Sequence, residues 1–333
     1  MEISASIVLL AGLAALVVGA EMVLRGGSRF AVLMGVRPLV IGLTVVSIGT
    51  SIPELAVGIT ASLEGSGSIS VGNIAGTNMV NILFILGLSA LFRPLMLHLQ
   101  VIKIDLPVMV IAAALMAGLA WDGVLSPLDG ILLLAVAVVY TVLLLRQHES
   151  AAVEEEFEDM CGGGMEKSCG DLPPRKRNAR QARLKNAMLL AAGMGISVVG
   201  AVWTVDGAVD IARALKVSEA IIGLTVVAIG TSSPELVTTI IATLRNERDV
   251  AVGNLLGSSI YNILVILGLI CIATPGGLPV ERQLLMLDIP LMAGVALACV
   301  PVFWSGKCIS RLEGGLGVAA YLIYLLWLVL FRA

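Results

Sequence analysis

Apolar runs of about twenty residues, parted by short polar turns, fill most of the chain. None shows the period-2 alternation of a membrane β-barrel, so each reads as a helix. A helix crosses roughly 30 Å of hydrocarbon with about 20 apolar residues. Ten stretches are long enough: residues 4–24, 38–63, 69–92, 104–120, 124–145, 187–206, 219–244, 250–273, 283–304 and 312–331. The expected fold is an all-α polytopic membrane protein. One long polar segment, residues 146–186, separates the fifth and sixth spans.

Composition strengthens this reading. Of 333 residues 58% are apolar and 14% charged, with a mean hydropathy of +1.00; soluble domains hold about 45–50% and 25%. A soluble enzyme, a nucleic-acid binder and a disordered chain are excluded. The net charge of −3 matters less than where the charges fall. If the N-terminus lies outside, the cytoplasmic loops hold Arg25, Arg29, Arg37, Arg93, Lys103, Arg146, the basic end of the 146–186 segment, Arg245, Arg248, Lys307 and Arg311. The opposite side holds only Arg213, Lys216, Arg282 and Arg332. The positive-inside rule then places both termini outside and residues 146–186 in the cytoplasm of a cell (inner) membrane protein. The first span lacks a basic flank and a cleavage site, so it reads as retained.

Residues 146–186 begin acidic (Glu154, Glu155, Glu156, Glu158, Asp159), cross a glycine cluster and end basic. This is expected to be an open, solvated linker, since like charges repel, with its basic end near anionic headgroups. Cys161 and Cys169 flank the glycines; with Cys271, Cys299 and Cys308 they form no even disulfide framework and no zinc pattern.

The informative feature is a repeat. Residues 42–63, GLTVVSIGTSIPELAVGITASL, match 223–244, GLTVVAIGTSSPELVTTIIATL, at 15 of 22 positions with a constant offset of 181. The same offset aligns 72–89, GNIAGTNMVNILFILGLS, with 253–270, GNLLGSSIYNILVILGLI. The chain therefore divides into halves at 1–145 and 187–333, with motif regions 42–89 and 223–270. An odd number of spans per half makes the second copy enter the membrane from the opposite face. Inverted repeats with broken helices are a transporter architecture, with the site near the midplane.

Each copy carries the same chemistry. Pro53 and Pro234 lack an N–H for the carbonyls of Gly49 and Gly230, and their rings bend the helix open. A carbonyl freed in lipid needs a partner, which a cation can be. Thr50 and Ser51 share a helical face with Glu54, and Thr231 and Ser232 with Glu235. Ser47 lies a further turn back, with Ala228 as its counterpart. An unpaired carboxylate deep in a span costs on the order of 2.5–3.5 kcal/mol, and no Lys or Arg lies deep enough to pair with Glu54 or Glu235. In the next spans Asn73, Thr77 and Asn81 recur every four residues, as do Asn254, Ser258 and Asn262. Thr77, Asn81, Ser258 and Asn262 are expected to face the breaks as ligands, while Gly72, Gly76, Gly253 and Gly257 serve close packing. The donors are all hard oxygens, which suit calcium and sodium better than magnesium or soft metals. His98 and His148 lie in or beside loops, so Ser51 has no imidazole base and no enzymatic activity is expected. Asp105, Asp288 and Glu21, near span ends, read as interfacial.

GTSIPE and GTSSPE, each followed by GNIAGTNMVN or GNLLGSSIYN, make the chain resemble the sodium/calcium exchanger family of the cation/calcium antiporter superfamily, over both halves. The resemblance implies a ten-helix fold with a central cluster of cation sites. Glu54 and Glu235 would carry calcium, with oxygens from Thr50 and Thr231. Ser51, Thr77 and the Ser47 carbonyl would form one flanking sodium site; Ser232, Ser258 and the Ala228 carbonyl would form the other. Asn81 and Asn262 would complete the cluster. The family exchanges about three sodium ions for one calcium, the first and sixth spans sliding to alternate access. Its transported ions are Ca2+ and Na+; no cofactor, nucleic acid or obligate protein partner is implied beyond the lipid bilayer. Some relatives carry an acidic residue at the position of Asn262 or Asn81, and its absence here implies potassium independence. Thr77 replaces a common serine, and the linker is short for a large calcium-sensing domain. A proton/calcium antiporter on the same fold remains an alternative, as do a cation channel and a scaffold whose working part is the linker.

Overall fold

The computed structural model describes residues 2–36, 38–161, 176–214 and 228–332. These form helices α1 (Glu2–Met34), α2 (Leu39–Leu63), α3 (Gly67–Phe92), α4 (Val101–Asp122), α5 (Pro127–Cys161), α6 (Lys176–Ala214), α7 (residues 228–244), α8 (Arg248–Ala273), α9 (Leu284–Gly306) and α10 (Arg311–Arg332). Among the described residues, nine helices are long and apolar enough to span a membrane, and Ser233–Leu244 within α7 is a shorter apolar helix. Residues 219–227 of the seventh expected span, and Cys169, lie outside the described residues.

Both described ends of the 146–186 segment are helical, residues 162–175 lying outside the described residues. Helix α5 runs on through the acidic residues to Cys161, and α6 begins at Lys176. The reason is local: residues 146–161 contain neither glycine nor proline and are rich in Glu, a good helix former.

Helices α1 and α6 pack along their lengths through glycines spaced seven apart: Gly12, Gly19 and Gly26 on one, Gly193, Gly200 and Gly207 on the other. Gly12 abuts Gly200 and Thr204, Gly19 abuts Gly193 and Ser197, and Gly26 abuts Asn186 and Leu190. The two helices are therefore antiparallel. In lipid no hydrophobic force drives helices together, so close backbone contact over small residues does this work.

Two short antiparallel ladders tie the turns together. β1 (Leu95–Met96) pairs with β4 (Cys308–Ile309), and β2 (Val124–Leu125) with β3 (Leu278–Pro279). Helix α4 runs from the first ladder to the second, whereas α9 runs from the second to the first. α4 and α9, repeat-related in sequence, thus cross in opposite directions, as α1 and α6 do.

Asp105 and Asp288 correct the interfacial reading. Both are buried, and each accepts a hydrogen bond from a tyrosine of the following helix: Tyr140 to Asp105 and Tyr324 to Asp288, both at 2.9 Å. Packing of α5 on α4 and of α10 on α9 removes them from water, which position along the span did not reveal. Glu21 is half-buried, in ion pairs with Arg25 and with Arg245 at 2.6 Å.

The glycine seam makes a direct prediction. A methyl group added at Gly200 would lie 2.8 Å from the Leu16 nitrogen and 2.9 Å from the Gly12 carbonyl oxygen, whereas one at Gly195 meets nothing within 4 Å. Gly200→Ala should lower thermal stability in detergent by an overpacking cost of about 1–3 kcal/mol. Gly195→Ala should be neutral or stabilising, by up to about 1 kcal/mol, as expected of Gly→Ala in a helix. Equal melting temperatures for the two variants would show that α1 and α6 do not meet at these glycines.

A candidate cation site between two helix breaks

Helix α2 is continuous only in outline. A π-helical turn at Gly42–Val46 leads into Ser47–Thr50, and the helix breaks at Ser51 (φ −86°, ψ 9°) before resuming as Ile52–Leu63. In α7 the break falls at Ser232 (φ −82°, ψ 5°), between Ala228–Thr231 and Ser233–Leu244. Both breaks follow from the proline two residues on, which occupies the first turn of the new segment, where no N–H is required. The second break differs in one respect. The Ser233 hydroxyl donates to the Gly230 carbonyl, while the counterpart Ile52 has no hydroxyl to do so.

The partner helices deviate at matching places. α3 adopts a π-turn at Val80–Ile85 and α8 one at Asn262–Leu267. Such turns re-aim side chains and recur at functional sites. Helix α8 lies directly on α2: a Cβ at Gly253 would stand 2.8 Å from the Leu39 carbonyl oxygen, and one at Gly257 would strike the Leu43 carbonyl and the Ser47 hydroxyl. The close-packing role expected of Gly253 and Gly257 follows from this contact.

That approach brings the polar stripe of α8 onto the first break. Ser47 Oγ lies 2.6 Å from the Gly42 carbonyl oxygen and 2.9 Å from that of Asn254. Thr50 Oγ1 stands 3.2 Å from the Ser47 carbonyl, 3.3 Å from Asn254 Oδ1 and 3.5 Å from Ser258 Oγ. Ser258 Oγ is 3.5 Å from the same Ser47 carbonyl. Ser51 Oγ donates across to Glu235 Oε1 at 3.2 Å, so a hydroxyl of one break touches the carboxylate of the other.

Thr50, Ser51, Glu54, Thr77, Asn81, Thr231, Ser232, Glu235, Ser258 and Asn262 are all buried, as is Ser47. The backbone of Ala228 opens the described part of α7. Ser258, grouped with Ser232 by resemblance, has its hydroxyl 3.5 Å from Thr50 Oγ1 and from the Ser47 carbonyl of the first break.

Several of these side chains have polar atoms with no hydrogen-bond partner among the described residues: both oxygens of Glu54, Oε2 of Glu235, Oγ1 of Thr77, Oγ of Ser232, and the amides of Asn81 and Asn262. Each unpartnered buried polar atom costs about 1–3 kcal/mol. Neither carboxylate is in an ion pair among the described residues. A cluster of such acceptors carrying two negative charges suits a hard cation.

Three hydroxyls escaped the sequence reading. Thr238, Thr239 and Ser259 are buried, and Asn254 Nδ2 donates to Thr239 Oγ1 at 3.1 Å. Thr238 and Thr239 follow Glu235 by three and four residues, on its helical face. Their repeat counterparts are Val57 and Gly58, so a search for matched positions passed over them.

Comparison with known proteins gives a consistent picture. The profile of the sodium/calcium exchanger protein family matches residues 4–146 and 185–330. Inner membrane protein YrbG of Escherichia coli is 35% identical over 276 residues, 81% of each chain. Sodium/calcium exchanger MaX1 of Methanosarcina acetivorans is 32% identical over 340 residues, 96% of this chain and 97% of its own. Among solved structures, the sodium-calcium exchanger NCX_Mj soaked with Na+ and Sr2+ superposes with a TM-score of 0.81 at 29% identity, covering 100% of both chains.

A cation held by these oxygens binds the folded protein alone, so it must stabilise it. At 100 times its dissociation constant a ligand adds about 2.7 kcal/mol. Calcium should therefore raise the melting temperature of the detergent-solubilised protein more than magnesium at equal concentration, and Glu54→Gln should abolish the difference. A calcium shift that survives in Glu54→Gln would place the bound ion elsewhere.

Proposed function

The chain belongs to the sodium/calcium exchanger family, and from that premise we propose that it works as a potassium-independent, electrogenic antiporter, exchanging Na+ for Ca2+ at the two helix breaks. It is a multi-pass membrane transporter of cations, not an enzyme. The observation that carries the site assignment is the pair of buried, repeat-related carboxylates, Glu54 and Glu235, set among hydroxyl and amide oxygens without a basic partner among the described residues.

In this reading Glu54 and Glu235 neutralise calcium, aided by Thr50 and Thr231. Ser51, Thr77 and the Ser47 carbonyl take one sodium; Ser232, Ser258 and the Ala228 carbonyl take another; Asn81 and Asn262 close the centre. Two carboxylates balance one Ca2+ or two Na+. The unloaded site would hold two uncompensated charges in a low-dielectric interior, where each costs several kcal/mol. That cost resists a change of access without cargo and so couples the two fluxes. Binding at the midplane between inverted halves, 1–145 and 187–333, is the arrangement that alternating access requires. The opposed directions of α1 and α6 and of α4 and α9 support the inversion. The distribution of Lys and Arg supports external termini and a cytoplasmic 146–186 segment. Amides at Asn81 and Asn262, in place of a further carboxylate, support potassium independence.

The test uses purified protein in sodium-loaded liposomes diluted into sodium-free medium, with radioactive calcium outside. Uptake should require internal sodium, persist without potassium, and fall roughly 10- to 100-fold in Glu54→Gln and in Glu235→Gln, the loss of a charged contact worth about 1.5–3 kcal/mol. Exchange of more than two sodium ions per calcium carries positive charge outward, so an interior-positive potential should accelerate uptake. Sodium-independent uptake driven by a pH gradient would overturn sodium coupling in favour of protons.

A further inference from the structure

Among the ligands proposed on α8, Asn262 is held least by its own bonds. Ser258 is bonded toward Ser47 and Thr50, and the neighbouring Asn254 toward Thr50 and Thr239. The amide of Asn262 has no partner among the described residues, and its residue opens a π-turn, where the helix leaves α geometry. Something else must set its position.

The residue before it supplies an anchor. Tyr261 is buried, with 1% of its surface exposed, and its hydroxyl lies 2.7 Å from Thr141 Oγ1 on α5. Thr141 has a single hydroxyl hydrogen, which it donates to the Ala137 carbonyl at 2.8 Å. Tyr261 must therefore be the donor and Thr141 the acceptor. The Tyr261 ring packs on Tyr140 with centroids 5.9 Å apart and planes at 51°. Tyr140 is fixed in turn by donating to Asp105 on α4 at 2.9 Å. The chain Asp105–Tyr140–Tyr261, with Thr141 holding the far end of the tyrosine, thus runs from α4 through α5 to the start of the π-turn on α8.

The other half is built differently at the equivalent point. Asn81 is the second residue of its π-turn, and the residue before it, Val80, which opens the turn, has no hydroxyl to anchor. The residue before one amide is held by a hydrogen bond and an aromatic contact; the residue before the other is an apolar valine.

We propose that Tyr261 is a positioning residue for the cation site, clamped by Thr141 and Tyr140 so that the π-turn presents Asn262 to the bound ion. The inference rests on the exchange reading above, since it assigns a support to one of that site's ligands. Its effect should fall on affinity. Without the clamp the turn samples other registers, and ordering Asn262 is charged against each binding event.

Tyr261→Phe is a clean variant. It keeps the ring on Tyr140, and Thr141 keeps its bond to Ala137, so no buried donor is orphaned and the fold is retained. In proteoliposomes Tyr261→Phe should raise the half-saturating calcium concentration about three- to tenfold while the maximal rate stays within about twofold, the pattern of a lost binding interaction. Thr141→Val should do the same, and the double variant should be no worse than Tyr261→Phe alone, since both remove one contact. Calcium titration calorimetry on the detergent-solubilised proteins should show the same loss of affinity without reliance on transport. An unchanged half-saturation and calorimetric affinity in Tyr261→Phe would overturn the proposal, as would additive losses in the double variant. Absence of sodium-dependent uptake in the unaltered protein would instead refute the exchange reading, leaving calorimetry to judge the clamp.

Discussion

Two carboxylates buried in the bundle without a basic partner among the described residues are the constraint that the rest of this structure answers. Insertion alone costs on the order of 2.5–3.5 kcal/mol for such a group. A protein that only needed to be stable would remove them. Here each sits just past a proline-induced break, within a cluster of oxygens, several of them unpartnered among the described residues. Hydroxyls and amides can solvate a cation but cannot neutralise a carboxylate. The arrangement therefore favours the fold most when positive charge is bound, which is what a carrier of cations needs.

Bringing that many polar groups to one point demands close helix approach, and glycine supplies it. Gly253 and Gly257 let α8 lie against the carbonyl edge of α2, so that Ser258 reaches Ser47 and Thr50. The glycine seam between α1 and α6 has the same physical basis but a different result: backbone contact at seven-residue spacing along two antiparallel helices. Ladders between turns of opposite halves brace both ends of α4 and α9.

The halves share a sequence pattern without sharing every contact. Ser233 occupies the Gly230 carbonyl, where Ile52 cannot act on that of Gly49; Asn254 meets Thr239, whose counterpart is Gly58; Tyr261 is anchored where Val80 is not. A duplicated site with identical halves would have no reason to treat two flanking cations differently. These substitutions fall beside the proposed ligands, not at them, which leaves the common oxygen cluster intact while its support differs.

Much of this was legible in one dimension. The helical class and nine of the spans follow from run length, because crossing hydrocarbon fixes how many apolar residues a helix needs. The helix breaks follow from proline's missing donor, and the candidate ligands from their repetition at a constant offset. Local chemistry was enough for each. Position along a span was not enough for Asp105 and Asp288, read as interfacial yet buried against tyrosines thirty-five or more residues away in sequence. Nor did matching the repeats find Thr238, Thr239 or Tyr261, since these differ between the copies. The π-turns and the contact of Ser51 with Glu235 depend on how α2, α7 and α8 pack together. Periodicity and composition report what each segment is able to bury. Which groups meet there is decided by packing between segments far apart in the chain, so only the folded structure could supply it.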